Sequence, residues 1–400
     1  MDPAVFATGV LNALAAAGAC GHALFLARRP DRTPLEARFM AVSGGLGLLA
    51  GIRALDGLTG LPLQRLEDLL SALAPLGVLV LAEGALRRHA PRMVKLATLA
   101  GAGLFAMLAL FRPEGAAAWL AGAFAGYLLA VIAAVGVLLA GRERDALSAA
   151  ENRLIGGLGL VLILAAPLAL TDFEAIAATP PIRLGALAIL LVVYAAIRLS
   201  EPEADASGLA RDGALVVGLG GLGGILAGGL FPGAAVDDMI RVGCLLSAGA
   251  IALLCLWRLR AERLSAQEPL HTLSGAALGR GREAYLAEVL ATPAFADLRL
   301  FGADALADSE PERIAGLFCD RLVATSADLA HAAAGSDEDA LRALMDTAGV
   351  THAAAVSLSP LTLAAVNAGG LADRKAWTAR LAVLARIARA LPAEAGHAAD

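Results

Sequence analysis

Long runs of apolar residues alternate with short polar stretches over the first 260 positions of the chain. About 20 consecutive apolar residues are needed for an α-helix to cross the hydrocarbon core of a bilayer. Nine runs approach or reach this length, and the second and seventh are short. The pattern predicts a polytopic α-helical membrane protein with about nine transmembrane helices. The predicted spans cover residues 4–27, 39–55, 69–86, 93–111, 116–140, 154–170, 182–197, 214–231 and 239–257.

After position 260 the pattern changes, because charged residues become frequent. Residues 261–282 end in a stretch rich in small residues and glycine, which predicts a linker. Residues 283–400 predict a small C-terminal mixed α/β (α+β) domain whose strand order is left open. Its predicted helices cover residues 283–290, 310–322, 337–345 and 372–391, and its predicted strands cover residues 298–301, 351–357 and 362–366.

The composition supports two regions suited to two solvents. Of the 400 residues, 58% are hydrophobic and 17% are charged, against about 25% charged in a typical soluble domain. The net charge of −5 comes without a basic stretch, so no nucleic-acid partner is expected. The four cysteines form no C-x-x-C pair, which indicates neither disulfides nor a metal site. No pattern in the sequence indicates a cofactor.

The basic residues of the loops predict the orientation. Sixteen Lys and Arg residues fall in the first, third, fifth and seventh loops with their adjoining span ends and in the segment after the ninth span, whereas the intervening loops hold five. Cytoplasmic loops retain an excess of Lys and Arg. This predicts a multi-pass protein of the cell (inner) membrane, with the N-terminus outside and the C-terminal domain in the cytoplasm.

One glycine-rich segment matches a nucleotide-binding pattern. Gly218, Gly220 and Gly223 satisfy G-x-G-x-x-G. A dinucleotide-binding turn would stand between a strand and a soluble helix, but the neighbouring segments are predicted spans, and an open strand cannot lie in lipid. Close packing of helices through small residues is the favoured interpretation, and nucleotide binding is the alternative.

Four ionisable residues near predicted outer span ends are candidates for a functional site, because such groups in a membrane often mark a function. Arg53 and Asp56 lie near the outer end of the second span. Asp172 and Glu174 lie near the outer end of the sixth. Together they could form an outward-facing polar pocket, and ordinary interfacial residues are the plainer alternative.

A second candidate group lies near the cytoplasmic end of the third span. Glu83 precedes Arg87 by four residues, so an ion pair between them is favoured over a catalytic role.

His22 is interpreted as a packing histidine. Several polar residues within the spans are expected to make interhelical hydrogen bonds: Asn12, Ser43, Ser71, Tyr127 and Ser247.

The absence of certain residues and motifs argues against several classes of function. The only lysines are Lys95 and Lys375, and neither lies in the middle of a predicted span, so a retinal Schiff base is not expected. No carboxylate stands near mid-membrane, where ion-coupled transporters need one. The sequence lacks H-E-x-x-H, G-x-S-x-G and G-x-x-x-x-G-K-[ST], so no enzymatic activity is expected.

Two arginine-rich motifs carry a resemblance to a known family. The first span ends in Arg28-Arg29-Pro30, and the third is followed by Arg87-Arg88-His89-x-Pro91-Arg92 after Glu83-Gly84-x-Leu86. With an odd number of helices before a cytoplasmic domain, these motifs resemble the polytopic N-terminal membrane sensor regions of bacterial histidine kinases. No phosphoacceptor-histidine helix and no ATP-binding boxes are present, so the resemblance implies a protein that senses without phosphorylating. Residues 337–391 resemble in shape part of a GAF-type or roadblock-type module.

The sequence favours a non-enzymatic membrane sensor or scaffold. Its helical bundle would bind a lipid, an apolar ligand or a membrane-protein partner, which includes a second copy of the chain. Its C-terminal domain would bind a soluble cytoplasmic partner. One alternative is a transporter for an apolar or zwitterionic solute, with helices broken at Pro75 or at the glycines of the eighth span. A second is a lipid-modifying membrane enzyme that uses the candidate residues at the outer span ends.

Overall fold

The chain forms two compact units in the computed structural model. The membrane unit comprises Met1–Arg144 and Glu151–Arg260, and the C-terminal unit comprises Asp145–Ala150 and Ala261–Asp400. The structure describes residues 2–29, 32–111, 117–144, 147, 149–173, 182–199, 206–231, 235–264, 273, 281–292, 295, 297–368 and 374–392.

Each of the nine predicted apolar runs falls on a helix. Eight helices within the described ranges are long and apolar enough to cross a membrane, and the helix of the seventh run is a shorter apolar one. The protein is therefore a mostly helical chain with several membrane-spanning candidates and a small C-terminal region that contains strands. The helices are α1 (Pro3–Ala27), α2 (Pro34–Thr59), α3 (Gln64–Leu86), α4 (Arg92–Phe111), α5 (Ala117–Ala140), α6 (Ala149–Leu170), α7 (Gly185–Leu199), α8 (Ala206–Leu230) and α9 (Val236–Leu264).

The second span is longer than its hydrophobic run predicted, because a polar motif starts the helix earlier. The Thr33 side chain accepts a hydrogen bond from the Glu36 amide (3.0 Å), and the Glu36 carboxylate accepts one from the Thr33 amide (2.7 Å). This capping box, with Pro34 at the first helical position, satisfies backbone donors that a helix start leaves open. Arg29 pairs with Glu36, so the end of α1 is joined to the start of α2.

The seventh run forms the shortest and most enclosed of these helices. Ten of the 15 residues of α7 are buried, and its apolar side chains are distributed around the whole helix. A helix that is hydrophobic on all sides belongs inside a bundle. Its side chains pack against residues of α1, α8 and α9, such as Leu11, Val216 and Cys255. One hydrophobic core cluster of the membrane unit is therefore built around α7.

The C-terminal ends of α3 and α5 meet the start of α6. Arg87, at the end of α3, lies 2.5 Å from the Glu151 carboxylate of α6. Arg88 donates a hydrogen bond to the Gly141 carbonyl after α5 (3.0 Å). Helices α3 and α5 thus run in one direction and α6 returns in the other.

The C-terminal unit is a four-stranded antiparallel sheet with helices on both faces. The strand order is β1-β4-β3-β2, which the sequence left open. Every helix and strand predicted for this region is present, and β2 and the 3-10 helix Asp304–Ser309 were not predicted because they are short. The elements are α10 (Arg282–Ala291), β1 (Arg299–Phe301), α11 (Pro311–Asp320), β2 (Val323–Thr325), α12 (Asp337–Ala348), β3 (His352–Leu358), β4 (Leu361–Val366) and α13 (Arg374–Ala390).

Alternate residues of the central strands divide the core of this unit into two layers. Side chains of a strand point to opposite faces of the sheet in turn. Ala354 and Val356 pack with α10 and α13, whereas Ala353 and Ala355 pack with α11 and α12. Both faces are buried, which explains why β3 and β4 are almost wholly apolar.

The predicted linker between the two units begins as a helix. Helix α9 extends to Leu264, so the first residues of the predicted linker 261–282 are helical. Residues 265–272 and 274–280 of that linker, and residues 393–400, lie outside the described residues.

His352 begins β3 as a buried, neutral side chain. Its Nδ1 lies 2.9 Å from the Thr351 hydroxyl, and 2% of the residue is exposed. Burial first, and then the nearby charge of Arg374, lower the pKa of His352 to about 4. Near neutral pH the imidazole is therefore uncharged, as a histidine packed in a core is expected to be.

Candidate functional site

A cavity of about 580 Å³ lies among α7, α8 and α9, with one side chain of α6. Ligand-binding cavities in proteins commonly measure about 300–1,000 Å³ and are mostly apolar. This one is lined almost wholly by aliphatic side chains and glycine. The lining consists of Leu168, Leu187, Leu191, Tyr194, Asp212, Gly213, Val216, Val217, Gly220, Gly221, Gly224, Ile225, Val236, Met239, Ile240, Gly243, Cys244, Ser247, Ile251 and Leu254.

The glycines of α8 have two different roles in this cavity. A Cβ atom at Gly220 would lie 2.0 Å from the Ser247 hydroxyl oxygen, and one at Gly224 would lie 2.6 Å from the Met239 carbonyl. These two positions hold α8 and α9 in backbone contact. A Cβ atom at Gly221 would meet nothing within 4 Å, so this glycine contributes free space. The cavity exists because Gly220 and Gly224 let α8 contact α9 closely, while Gly221 adds no side chain that would fill the space.

Asp212 forms the polar end of the cavity. Its carboxylate accepts a hydrogen bond from the Tyr194 hydroxyl (2.5 Å). Arg198 Nε lies 3.6 Å and Arg258 Nη2 lies 3.4 Å from the same carboxylate oxygen. The Arg258 guanidinium also lies 5.7 Å from the centre of the Tyr194 ring. The end of α7, the first part of α8 and the last part of α9 therefore meet at one charged cluster.

The remaining wall of the cavity opens towards the apolar surface of the helices. Val217, Ile225 and Val236 line it, and their exposed fractions are 71%, 65% and 69%. A lining residue with this exposure stands at a mouth rather than at a closed wall. The cavity is therefore a groove with an apolar mouth along its side and polar groups at one end.

The predicted outer residues Arg53 and Asp172 are brought together as an ion pair. Arg53 Nη1 lies 2.5 Å from the Asp172 carboxylate, and Arg53 Nε lies 2.9 Å from the Glu67 carboxylate of α3. The Ser71 hydroxyl lies 3.4 Å from Arg53 Nη2. Arg53 is 17% and Asp172 is 11% exposed at the side chain, so this is a mostly buried cluster that joins three helices. Glu67 was not predicted as a member.

Asp172 also holds the start of α7. Its second carboxylate oxygen accepts a hydrogen bond from the Gly185 amide (3.0 Å), and the Thr171 hydroxyl accepts one from the Leu184 amide (2.8 Å). The first amides of a helix have no partner within the helix, and a carboxylate there is favoured by the helix dipole. Asp172 thereby connects the charged cluster to the helix that lines the cavity.

The other two predicted outer residues are not shown in that cluster. The Asp56 carboxylate lies 3.4 Å from the amide of Leu63, so it supports the turn between α2 and α3. Glu174 lies outside the described residues. Arg53 and Asp172 thus form a mostly buried ion pair, and the outward-facing pocket stays a prediction.

The predicted ion pair between Glu83 and Arg87 was wrong. Glu83 pairs with Lys95 of α4 (2.8 Å) and accepts a hydrogen bond from the Ala90 amide (2.7 Å), while Arg87 pairs with Glu151. The spacing of four residues favours a contact only when both residues are helical. Arg87 ends the helix with a φ of 51°, which turns it away from the face that carries Glu83.

The interpretation of G-x-G-x-x-G as a packing motif agrees with the structure. Gly218, Gly220 and Gly223 all lie inside the continuous helix α8, so no strand-to-helix turn exists there to bind a pyrophosphate. Gly220 packs directly on α9. The cavity itself was not predicted, and its only sequence signal was the presence of Asp212 and Tyr194 beside glycine-rich spans.

Two expected interhelical contacts of polar side chains are present elsewhere. His22 Nδ1 lies 2.9 Å from the Ser43 hydroxyl, which joins α1 to α2. The Tyr127 hydroxyl donates a hydrogen bond to the Thr98 carbonyl (2.6 Å), which joins α5 to α4. Such bonds in membranes stabilise by about 0.6 kcal/mol on average, so these side chains are explained by packing.

Comparison with protein-family models, curated proteins and solved structures gave no match.

Proposed function

We propose that this protein is a non-enzymatic membrane receptor that binds the acyl chain of a membrane lipid in the cavity among α7, α8 and α9. The observation that carries the proposal is the apolar groove of about 580 Å³ with its polar cluster at one end. The C-terminal unit would bind a soluble partner, as in a sensor that lacks a kinase core. The resemblance to histidine-kinase sensor regions is consistent with this role.

The chemistry of the lining favours a hydrocarbon chain as the occupant. The Ser247 hydroxyl lies within hydrogen-bonding distance of the Val216 carbonyl (3.3 Å), and Tyr194 donates to Asp212. These polar groups of the lining thus already have partners inside the protein. A ligand that added polar atoms along the groove would lose its own hydrogen bonds to water. A chain of methylene groups loses none.

The position of the mouth favours a lipid over a soluble apolar molecule. Val217 and Ile225 stand at the mouth on α8, a helix long and apolar enough to span a membrane. In a bilayer this surface is bathed by acyl chains, so a lipid enters sideways without crossing water. The charged cluster around Asp212 would lie at headgroup depth, because it is formed by helix ends.

We also propose nine spans, with the N-terminus outside and the C-terminal unit in the cytoplasm of a cell with an inner membrane. The helix ends that meet support alternating directions. The end of α2 meets the starts of α3 and α7 through Arg53 and Asp172. The end of α7 meets the first part of α8 and the end of α9 at Asp212. Each of these contacts joins helix ends that the loop charges predict to lie on the same side of the membrane.

The alternatives gain less support from the geometry. A transporter would be favoured by broken helices at mid-membrane. Helix α3 instead continues through Pro75, and α8 continues through its glycines. A lipid-modifying enzyme would need reactive groups at the outer cluster, whereas Arg53 and Asp172 are engaged with each other and with helix ends.

The test compares two glycine-to-leucine variants of α8. A Cβ atom meets nothing within 4 Å at either Gly221 or Gly218, but only Gly221 lines the cavity. The full chain is reconstituted with a phospholipid that carries a photoreactive diazirine in its acyl chain. We expect crosslinks on α8 and α9 peptides to fall severalfold in Gly221→Leu and to persist in Gly218→Leu.

Equal crosslinking in both variants would refute the cavity as the lipid site. Loss of crosslinking in both variants would also refute the cavity as the site. Gly218 does not line the cavity, so the crosslinks would then report contact of lipid with the general surface of the helix. Native mass spectrometry of the same samples provides a second readout, since a retained lipid adduct should be absent only from Gly221→Leu.

A further inference from the structure

The two helical layers of the C-terminal unit carry opposite charge. Helix α13 contains five basic residues and no acidic one. Across the sheet, α11 and α12 together contain six acidic residues and two basic ones. Neither pattern is required by the apolar cores that these helices cover. The unit therefore has a basic side and an acidic side.

The outer face of α13 carries small side chains between its exposed cations. Lys375, Ala379, Arg386 and Ala390 are all exposed. Their spacing of four, seven and four residues places them on one side of the helix. The side chains between the two cations are only methyl groups, so this face could approach a planar surface closely.

Not every cation of α13 belongs to this face. Arg389 donates hydrogen bonds to the carbonyls of Ala355 (2.7 Å) and Phe318 (3.0 Å), so it is a structural side chain. Arg380 lies over the Trp377 ring, 5.3 Å from its centre. Of the five cations of the helix, Lys375 and Arg386 are the two classed as exposed, and Arg374, Arg380 and Arg389 are partly buried.

Helix α10 shares the layer and reduces the positive charge only partly. It contributes Glu283 and Glu288. Its Arg282 is held by the carbonyls of Ala388 (2.9 Å) and Leu391 (3.2 Å) at the end of α13. The α10–α13 layer keeps an excess of basic residues, and the α11–α12 layer keeps an excess of acidic ones.

We infer that the outer face of α13 binds the anionic headgroup surface of the membrane in which the chain is anchored. Only residues 265–281 separate the end of α9 from the start of α10, so the unit is held within on the order of 60 Å of the membrane. Each Lys or Arg near an anionic surface strengthens binding about fivefold. Tethering replaces a bimolecular encounter by an intramolecular one, so a few such contacts suffice.

The acidic layer fixes the direction of this contact. An anionic surface attracts α13 and repels α11 and α12, so only one side of the unit binds. A protein partner with an acidic surface is the competing occupant of α13. The tether favours the lipid, because the membrane surface is always within reach and a soluble partner is not.

The experiment uses amine labelling of the full chain in nanodiscs. The sequence has two lysines, Lys95 in α4 and Lys375 in α13, so peptide mass spectrometry reads each one separately. Labelling is compared between discs of phosphatidylcholine and discs that also contain phosphatidylglycerol. We expect Lys375 to react about fivefold or more slowly in the anionic discs, and high salt to remove the difference. Lys95, at the start of α4, reports the general effect of the anionic surface on amine reactivity, and Lys375 should be slowed more than Lys95.

Two charge-reversal variants provide a matched control. Arg386→Glu lies on the inferred binding face, and we expect it to restore fast labelling of Lys375 in anionic discs. Arg299→Glu changes the same charge at an exposed residue of β1, two positions before Phe301, which packs with the α11–α12 layer. It should leave the slow labelling unchanged.

The comparison of neutral and anionic discs uses the unaltered chain, so it tests the inference even if a variant fails to fold. Equal labelling of Lys375 in neutral and anionic discs would overturn the inference. An equal effect of Arg299→Glu and Arg386→Glu would also overturn it, because net charge alone would then explain the result. Slow labelling in native membranes but not in purified anionic discs would overturn it in favour of an acidic protein partner.

Discussion

Arg53 shows how a charged side chain is kept at the end of a spanning helix. It lies between the carboxylates of Glu67 and Asp172, and Asp172 also caps α7. A buried ion pair stabilises only when its other hydrogen-bonding positions are satisfied. Here two carboxylates and a hydroxyl surround one guanidinium, so the cluster can hold four helix ends together.

We expect the Arg53–Asp172 pair to be strongly coupled. A double-mutant cycle with Arg53→Met and Asp172→Asn should give a coupling free energy of about 1–2 kcal/mol in denaturant unfolding of the purified protein. Asn at position 172 still accepts the hydrogen bond from Gly185, so the cycle isolates the ion pair.

The control cycle uses Arg241 and Asp238, an ion pair of adjacent helix turns at 2.7 Å whose aspartate is 51% exposed. Exposed pairs of this kind are coupled by about 0.3–0.5 kcal/mol. A coupling at Arg53–Asp172 no larger than at this pair would show that the cluster is an ordinary interfacial contact.

At the scale of the element, α8 combines two functions in one sequence. Gly220 and Gly224 allow the backbone of α9 to approach, since small residues permit close packing where lipid provides no hydrophobic drive. Gly213 and Gly221 leave space in the cavity. The helix stays continuous because its neighbours and the membrane enforce backbone hydrogen bonding.

We expect Gly220→Val to separate α8 from α9. Its Cβ atom would overlap the Ser247 hydroxyl at 2.0 Å and the Gly243 carbonyl at 2.6 Å. Overpacking of this kind costs about 1–3 kcal/mol, which thermal unfolding in detergent would detect as a lower midpoint. Gly218→Val has the same propensity cost in the same helix and meets nothing within 4 Å. If the two variants unfold at the same temperature, the close approach of the helices is not what stabilises this pair.

At the scale of the whole molecule, the decisive question is whether α7 crosses the membrane. It has 15 helical residues, fewer than the about 20 that a spanning helix needs. Its burial among α1, α8 and α9 removes the requirement that each end reach the lipid headgroups by itself. A short helix inside a bundle can complete its crossing with the loops at its ends.

Labelling of single cysteines tests directly whether α7 crosses the membrane. In a chain whose four cysteines are replaced by serine, Arg183→Cys stands before α7 and Arg211→Cys stands early in α8. An impermeant maleimide added to intact spheroplasts should label the first and should label the second only after lysis. Labelling of both from one side would refute nine spans, and labelling of the second alone would refute the predicted orientation.

Hydropathy along the chain was enough to separate the segments suited to lipid from those suited to water. Hydropathy is a local property, so the nine apolar runs each fell on a helix, and short apolar runs and amphipathic patterns located the two central strands and four helices of the C-terminal unit. The same local reasoning placed the G-x-G-x-x-G glycines inside a packed helix rather than in a nucleotide site.

Contacts between residues far apart in the sequence became visible only in the folded chain. Arg53 and Asp172 are 119 positions apart, and Glu67 joins them because α3 starts where α2 ends. The i,i+4 rule failed at Glu83 because Arg87 leaves the helix. The cavity depends on the distance between α8 and α9, and the strand order depends on pairing between strands that are far apart in the chain, such as β1 and β4. Such contacts arise from the packing of whole elements, which no local pattern of hydrophobic and polar positions contains.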